Sequence, residues 1–248
     1  MTAQEVIDQC KIEGNNVFLP EIQLDRDLYL EVNKKLTGIG GKWNRKAKSH
    51  VFATDPSELL GRVKNGEKIN LKKDYQFFET PDELADKLVR LLDINNWNEN
   101  TRVLEPSAGK GALIKALYRE HGCKWPVFAI EKMPQNRPSL EAIDRVILSP
   151  ATDFLSHKPF FEFTHIIANP PFTKNQDIDH VYKMYEVLKK GGRMVSIISN
   201  HYQESVNRKE VAFREWLEEK DAEIHNVPMG SFKSSGTLVG GKIIVINK

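Results

Sequence analysis

Residues 102–114 read RVLEPSAGKGALI, and their pattern is the clearest indication of the fold class. Its first residues, 102–105, are typical of a short buried β-strand. Gly109 and Gly111 then predict a tight turn, and the apolar residues from Ala112 onward predict a helix. A strand, a glycine turn and a helix in this order form a ligand crevice at the carboxyl edge of a parallel sheet.

The spacing of the glycines argues against two common phosphate sites. Only Lys110 separates Gly109 from Gly111, so the stretch lacks the G-x-x-x-x-G-K-[ST] pattern of a phosphate loop. Ile114 stands where the dinucleotide fingerprint has its third glycine, which disfavours a nicotinamide oxidoreductase. An adenosine-bearing cofactor is still expected in this crevice.

Outward from this stretch, short apolar runs alternate with helical patterns. This alternation predicts an α/β fold with a mostly parallel sheet and helices on both faces. One helix is expected to run from residue 178 past Leu188 and to stop at Gly191-Gly192, and another spans 211–217. The predicted strands are 102–105, 127–131, 145–148, 165–168, 193–198, 223–227 and 242–247.

A further helix is predicted before the first strand of the sheet. Thr80 is a suitable N-cap, Pro81 suits the first helical position, and Glu83 completes a capping box. Leu84, Leu88, Leu91 and Leu92 then form one apolar helical face.

Residues 1–70 are predicted to form a separate small basic module, followed by an α/β domain over 71–248. Between Val32 and Thr54 there are six Lys or Arg residues and no acidic residue. Two short strands, 42–44 and 49–52, flank a basic tip, so a hairpin that contacts phosphates is one interpretation and a solvated turn is the other. Trp43 is expected either to stack on a base or to lie in the core of the module. The candidate phosphate-binding residues are Lys42, Arg45, Lys46 and Lys48.

Three acidic residues follow predicted strand ends, where parallel strands place their side chains at one sheet edge. Glu105 ends the first strand and Glu131 ends the second, where a carboxylate can accept bonds from two ribose hydroxyls. Asp153 follows the third strand, where it can accept a bond from an adenine amino group while Phe154 packs on the ring.

The sharpest feature is Asn169-Pro170-Pro171-Phe172, directly after an apolar strand. Two consecutive prolines are stiff and lack N–H groups, so they end the strand and hold its last carbonyl groups in place. An exocyclic amine on a planar base is a poor nucleophile, because its lone pair is delocalised into the ring. The Asn169 side-chain oxygen and the Pro170 carbonyl can each accept a hydrogen bond from this amine. Two such bonds favour the pyramidal form of the amine, whose lone pair can attack an electrophile. Phe172 would stack on the base.

Taken with Glu105–Gly109 and Thr80-Pro81 upstream, this motif resembles class I S-adenosylmethionine-dependent methyltransferases that act on amino groups. The chain is most similar to the DNA adenine-N6 methyltransferases of bacteria, phages and mobile elements, with their γ-type motif order. The resemblance covers about residues 75–248 and implies a Rossmann-like sheet of seven strands whose last strand is antiparallel. Its implied cofactor is S-adenosylmethionine, whose sulfonium already carries an electrophilic methyl group, so no metal is expected.

The resemblance also implies roles for individual residues. Asn169, Pro170, Pro171 and Phe172 would hold the target base, with Lys174 close by as a substrate contact. The residues that would line the cofactor are Thr80, Pro81, Glu105, Pro106, Ser107, Gly109, Gly111, Glu131, Asp153, Phe154 and Asn169. The segment 230–237 also resembles loops of such enzymes.

The chain departs from the family in one respect. Only 76 residues follow Phe172, too few for the large target-recognition domain that γ-type enzymes carry after the sheet. Sequence readout is therefore expected from residues 1–70, from the loops 173–177 and 199–208, or from a second copy of the chain in a homodimer.

Several kinds of methyl acceptor suit the chemistry of the motif. A duplex adenine would have to be flipped out of the helix to reach it. The same tetrapeptide serves methyltransferases of cytosine N4 and of adenine in RNA, and a variant with Tyr serves those of protein glutamine. The basic hairpin favours nucleic acid, and the resemblance favours DNA and adenine. A non-catalytic nucleic-acid-binding subunit is the alternative from another class, although such subunits normally lose the acceptor motif.

Composition sets the outer limits. The chain has 248 residues, with 36 Lys plus Arg against 34 Asp plus Glu, which suits one α/β domain with a small appendage. No apolar stretch approaches the roughly 20 residues of a membrane-spanning helix, so no membrane partner is expected. Cys10 and Cys123 stand far apart, so neither a disulfide framework nor a cysteine-based zinc site is expected. The start lacks the pattern of a secretory signal, which predicts a cytoplasmic protein.

Overall fold

The structure, a computed structural model, describes residues 1–71, 78–95, 97–159 and 161–248. The chain divides into two compact units, Met1–Phe77 and Phe78–Lys248, and each is described by itself.

Within residues 1–71, the first unit packs helices α1, α2 and α3 and an antiparallel sheet around a small apolar core. In α2 the Asp25 side chain accepts a hydrogen bond from the Leu28 N–H (2.9 Å) and so caps the helix. Val32 and Leu36 are buried on the inner face of this helix, as their helical spacing predicts. The elements are α1 (Ala3–Asp8), β1 (Lys11–Glu13), β2 (Asn16–Phe18), α2 (Arg26–Gly38), β3 (Lys42–Asn44), β4 (Ser49–Val51) and α3 (Ser57–Lys64).

The predicted basic hairpin is confirmed. Strands β3 and β4 pair antiparallel, with Trp43 opposite His50. The sheet order is β1-β2-β4-β3, so β3 is an edge strand. The short elements α1, β1, β2 and α3 were not predicted, because strands of three residues and helices of six and eight residues are too short to show a clear period.

The second unit is a seven-stranded sheet between two layers of helices. The strand order is β10-β11-β9-β8-β5-β6-β7, and β11 runs antiparallel to both of its neighbours. The predicted mostly parallel sheet with an antiparallel last strand is confirmed. The elements are α4 (Asp82–Leu92), β5 (Val103–Glu105), α5 (Ala112–His121), β6 (Val127–Ala129), α6 (Arg137–Glu141), β7 (Val146–Leu148), β8 (Phe163–Ala168), α7 (Gln176–Val187), β9 (Leu188–Ser199), α8 (Arg208–Glu219), β10 (Glu223–Val227) and β11 (Gly241–Asn247).

Two apolar cores lie on opposite faces of this sheet. Consecutive strand residues point to opposite faces, so Ile167 packs in the core beneath α4 and α5, whereas Ile166 packs in the core beneath α7 and α8. Both residues are fully buried. The apolar runs 166–168 in β8 and 194–198 in β9, the latter interrupted by Ser196 alone, are consistent with this double coverage.

Several element boundaries differ from the prediction, and two of these differences lie next to the loops of interest. The helix expected to stop at Gly191-Gly192 ends at Val187, because Leu188 is already extended (φ −75°, ψ 131°) and begins the 12-residue strand β9. Helix α4 begins at Asp82 rather than at Pro81, and no side chain caps it. The expected capping box is therefore absent, and the Thr80 hydroxyl has a different partner, described below.

Candidate active site

The candidate site lies at the carboxyl edge of the sheet, where β5 and β8 lie side by side. These two strands are parallel neighbours, and the sheet continues in opposite directions from them. A crevice opens at such a switch point, because the loops that follow the two strands leave on different sides. The glycine turn follows β5, and Asn169-Pro170-Pro171-Phe172 follows β8.

The side chain of Asn169 is held by the segment before α4. Its amide nitrogen donates to the Phe78 carbonyl (3.2 Å) and to the Thr80 hydroxyl (3.1 Å). Thr80 is buried, 6% exposed, and this bond explains why it does not cap the helix. Because the nitrogen holds these two acceptors, the amide oxygen is the atom that can accept a bond from a ligand.

The loop between β10 and β11 supports the same segment. The Ser235 hydroxyl donates to the carbonyl oxygen of Glu79, between Phe78 and Thr80. Phe232 anchors this loop in the core at 2% exposure. The segment 230–237, singled out in the sequence, therefore contacts the residues that hold Asn169.

The glycine turn after β5 is hydrogen-bonded to Glu131, which lies just past the end of β6 at Ala129 and does not end a strand as predicted. Glu131 accepts a bond from the Gly109 N–H at one carboxylate oxygen and from the Met133 N–H at the other, each at 2.6 Å. Gly109 has φ +54°, in the left-handed region that favours glycine. Burial raises the pKa of Glu131, although these two bonds oppose the rise.

Glu105 lies below the turn as a buried acid. It is 1% exposed and accepts a bond from the Ser107 N–H (3.2 Å). Burial raises its pKa to about 8, against the effect of that bond and with a smaller contribution from the nearby Glu131. Glu105 is therefore mostly protonated at neutral pH. Pro106, Gly109 and Gly111 are buried around it, and Ser107 is half-buried.

Asp153 and Phe154 follow β7 and have different surroundings. Asp153 accepts bonds from Lys132 Nζ (3.0 Å) and from the Leu155 N–H (2.9 Å). Burial pushes its pKa upward, but these bonds outweigh that effect and hold the pKa below its ordinary value. Phe154 is 2% exposed and lies in the core under α7 and α8.

His180 of α7 is a site residue that the sequence analysis missed. Its ring lies 5.4 Å from the Phe154 ring, and its Nδ1 lies 3.4 Å from the Ser107 hydroxyl. Burial lowers its pKa to about 4, so the ring is neutral at pH 7. His180 lies in the first turns of the helix that follows the Asn-Pro-Pro-Phe motif, and this helix begins at the same sheet edge. That position in the sequence could have indicated a site residue.

A short turn links the motif to α7. Pro170 is buried, Pro171 and Phe172 are half-buried, and Lys174 is exposed. Phe172 packs against the core beneath α4 and α5. Lys174 and Asn175 both have positive φ, +56° and +57°.

The four hairpin cations belong to the first unit. Lys42, Arg45, Lys46 and Lys48 are all exposed. Trp43 is 40% exposed rather than a core residue, and its ring meets Tyr29 and His50 edge-on. The exposed Trp43 ring agrees with the interpretation in which it is available for stacking. It does not agree with the interpretation in which Trp43 lies in the core of the module.

The residues around the crevice fit an adenosine-bearing group. Carboxylates of Glu131 and Asp153 follow neighbouring strands β6 and β7, where they can accept bonds from hydroxyl or amino groups. Each of their oxygens already accepts one bond from the protein, and a carboxylate oxygen can accept a second. The Gly109 backbone can approach a ligand without obstruction from a Cβ atom.

Two searches bear on other kinds of site. Within residues 1–71, 78–95, 97–159 and 161–248, no group of three or more His, Cys, Asp or Glu side chains is arranged to hold a metal ion. Among the helices of those same ranges, none combines the length and the apolar character needed to cross a membrane.

Comparison with solved structures identifies proteins of similar architecture. The chain is similar to the methyltransferase subunit of a type I restriction-modification system from Streptococcus thermophilus, with 16% identity and a TM-score of 0.60 over 78% of this chain and 50% of that one. This chain contains the Rossmann-like methyltransferase fold. The same fold appears in a protein from Listeria monocytogenes named as a class I S-adenosylmethionine-dependent methyltransferase, with 12% identity and a TM-score of 0.53 over 77% of this chain and 66% of that one.

A third similar structure, from Vibrio vulnificus YJ016, is named as a modification subunit of a type I restriction enzyme. It has 16% identity and a TM-score of 0.54, over 92% of this chain and 54% of that one. The chain thus spans about half the length of the two restriction-system subunits. No family model and no curated protein sequence matches the chain. At these identities the likeness shows the fold alone.

Proposed function

We propose that this chain is an S-adenosylmethionine-dependent DNA methyltransferase that methylates N6 of adenine. The observation that carries the proposal is the anchoring of Asn169. Two bonds from its amide nitrogen, to Phe78 and Thr80, orient the amide so that its oxygen can serve as an acceptor. A rigidly held hydrogen-bond acceptor suits an exocyclic amine, which reacts only when its N–H groups are hydrogen-bonded in a fixed geometry.

The remaining roles follow from the position of each residue. The Asn169 oxygen and the Pro170 carbonyl accept the two protons of the exocyclic amine, and Phe172 stacks on the base. The bound cofactor supplies an electrophilic methyl group. The lone pair of the amine nitrogen would form the new bond to that methyl carbon while the carbon–sulfur bond breaks, with its electrons left on sulfur as a neutral thioether. The methylated amine would then release one proton to solvent. Glu131 and Asp153 hold the ribose and adenine ends of the cofactor.

Two buried ionisable side chains of the site are mainly uncharged at neutral pH. Glu105 is mostly protonated, and His180 is neutral. Thr80, Pro81, Ser107, Gly109 and Gly111 complete the cofactor side in this proposal. Phe154 acts there from within the core, as support for the loop that carries Asp153, because only 2% of it is exposed.

The exposed hairpin of the first unit is the proposed nucleic-acid contact. Lys42, Arg45, Lys46 and Lys48 contact phosphates, and Trp43 offers an exposed ring beside them. Lys174, exposed after the motif, contacts the backbone of the acceptor strand. The acceptor is duplex DNA with one adenine flipped out. Likeness to restriction-system subunits agrees with a DNA acceptor.

The deciding experiment is methyl transfer from labelled S-adenosylmethionine to duplex DNA, single-stranded DNA and total RNA, followed by nucleoside mass spectrometry. We expect N6-methyladenine in DNA from the wild-type chain and none from Asn169→Ala, while calorimetry shows that the variant still binds the cofactor. Asn65→Ala, an exposed asparagine at the end of α3, is the matched control and should retain activity. Label in RNA alone, or as N4-methylcytosine, would overturn the assigned acceptor. Retained turnover by Asn169→Ala would overturn the mechanism.

A further inference from the structure

The turn after the Asn-Pro-Pro-Phe motif has a backbone conformation that its own residues do not favour. Lys174 and Asn175 are consecutive residues with left-handed backbone angles, φ +56° and +57°. Residues other than glycine adopt this region rarely, although asparagine does so more readily than lysine. Such a conformation persists where the surrounding structure imposes it, and such places cluster at functional sites.

A buried carboxylate on a neighbouring helix holds this turn. Glu210, in the first turn of α8, is 1% exposed, and its Oε1 accepts a bond from the Asn175 side-chain nitrogen at 2.6 Å. The Asn207 side chain donates to the same oxygen at 3.4 Å. Hydrogen bonds to an ionised carboxylate are stronger than those between neutral groups, so the contact with Asn175 is a firm one.

A second residue of α8, Lys209, also contacts Asn175. Lys209 Nζ donates to the Asn175 backbone carbonyl at 3.0 Å and to the Asp179 carboxylate at 2.8 Å. The exposed His201 ring lies 3.6 Å from Glu210. Asn175 is therefore bound at its side chain and at its backbone by adjacent residues of one helix.

We infer that Glu210 is a positioning residue for the base that accepts the methyl group. Through Asn175 it fixes the turn from Phe172 to Asn175, and so the placement of the Phe172 ring and of Lys174 at the sheet edge. The inference rests on the proposed function only in assigning the turn to the acceptor side of the site. Neither Glu210 nor Asn175 contacts the reacting atoms in this proposal.

The activity test compares four single variants and one double variant with the wild-type chain. Glu210→Ala removes the acceptor, and Glu210→Gln keeps an acceptor oxygen without the charge. Asn175→Gly allows the left-handed backbone without the side-chain contact. Glu215→Ala changes an exposed glutamate of the same helix and is the control.

We expect Glu210→Ala and Asn175→Gly to lower kcat on DNA by about tenfold, which corresponds to loss of about one hydrogen bond to a charged group. Cofactor Kd should stay unchanged in all variants, and Glu210→Gln and Glu215→Ala should retain kcat within about threefold. The double variant Glu210→Ala/Asn175→Gly should lose no more than either single change, because both remove the same contact. Additive losses, or a Glu210→Gln variant as slow as Glu210→Ala, would overturn the inference.

A second readout does not depend on activity. Lys174 is an exposed trypsin site within the turn, so release of Asn175 should speed cleavage after Lys174 in the native chain by about tenfold. This increase is expected in Glu210→Ala and Asn175→Gly and not in Glu210→Gln or Glu215→Ala. A lower Tm in Glu210→Ala with unchanged kcat and cleavage would show a merely structural role and overturn the inference. Wild-type chain that methylates no DNA counts against the proposed function, while the cleavage rates still decide whether Glu210 holds the turn.

Discussion

The side-chain nitrogen of Asn169 donates to the Thr80 hydroxyl at 3.1 Å, although 89 residues separate the two in the chain. This bond joins the loop after β8 to the segment before α4. It orients the amide of Asn169 and takes the hydroxyl that would otherwise cap the helix. Thr80 is therefore expected to matter for the reaction more than for the start of α4.

Replacing Thr80 tests this relationship. Thr80→Val removes the acceptor at similar volume, so one of two bonds that orient Asn169 is lost, and we expect kcat to fall about tenfold, or about 1.4 kcal/mol. Thr80→Ser keeps the hydroxyl and should stay within about threefold of the wild-type chain. Single-turnover methyl transfer with saturating cofactor measures both. Equal rates for the two variants would show that the bond does not position Asn169.

The pKa of Glu105 predicts a pH dependence of stability. Its folded-state pKa, about 8, lies above the ordinary glutamate value of 4.5, so between these two pH values the folded chain holds a proton that the unfolded chain has released. The stability contributed by this group is complete below about pH 4.5 and is lost as pH rises through about 8. Glu105→Gln removes this dependence, and its free energy of unfolding should fall less between pH 5 and pH 8 than that of the wild-type chain.

Denaturant unfolding at several pH values measures this difference, which should be on the order of a few kcal/mol at pH 8. Glu120→Gln, on the exposed face of α5, is the control and should follow the wild-type curve. Identical curves for wild type and Glu105→Gln would contradict the raised pKa.

Gly111 is required by both its backbone and its surroundings. It has φ +82°, and a Cβ atom there would lie 2.4 Å from the Ile143 side chain. Gly111→Ala should lower the free energy of unfolding by about 2–4 kcal/mol, from the left-handed backbone together with overpacking. Gly122 also has positive φ, +74°, but open space around it, so Gly122→Ala should cost only about 1 kcal/mol. Equal losses in thermal or denaturant unfolding would show that contact with Ile143 is unimportant.

The hairpin makes a prediction about salt. Replacing Lys42, Arg45, Lys46 and Lys48 by glutamine should weaken DNA binding and reduce the slope of log K against log salt by about 0.9 for each lost phosphate contact. Fluorescence anisotropy with a labelled duplex at several salt concentrations measures the slope. Glutamine at the exposed Lys11 and Lys68, in the same unit, is the control. A slope equal to that of the control would remove the hairpin from the DNA contacts.

The order of elements in the second unit could be predicted from local patterns. The apolar runs of β5, β8 and β9 and the turn at Gly109 and Gly111 are each complete within a few residues. The end of α7 could not be placed, since Leu188 suits both a helix and a buried strand, and only pairing with β8 favours the strand. The same limit applies to the three-residue strands of the first unit.

The candidate site divides in the same way. The sequence alone determined which chemistry is present: an amide and stiff carbonyls at Asn169 and Pro170, and acids at successive strand ends, because residue type and spacing are local properties. Only the folded chain shows what holds these groups. Thr80, His180 and Glu210 contact Asn169, Ser107 and Asn175 across 35 to 89 residues of sequence, and no local pattern marks such contacts. The tertiary structure also decided the protonation of Glu105 and His180, because burial depends on the whole fold and shifts a pKa that residue type alone leaves at its ordinary value.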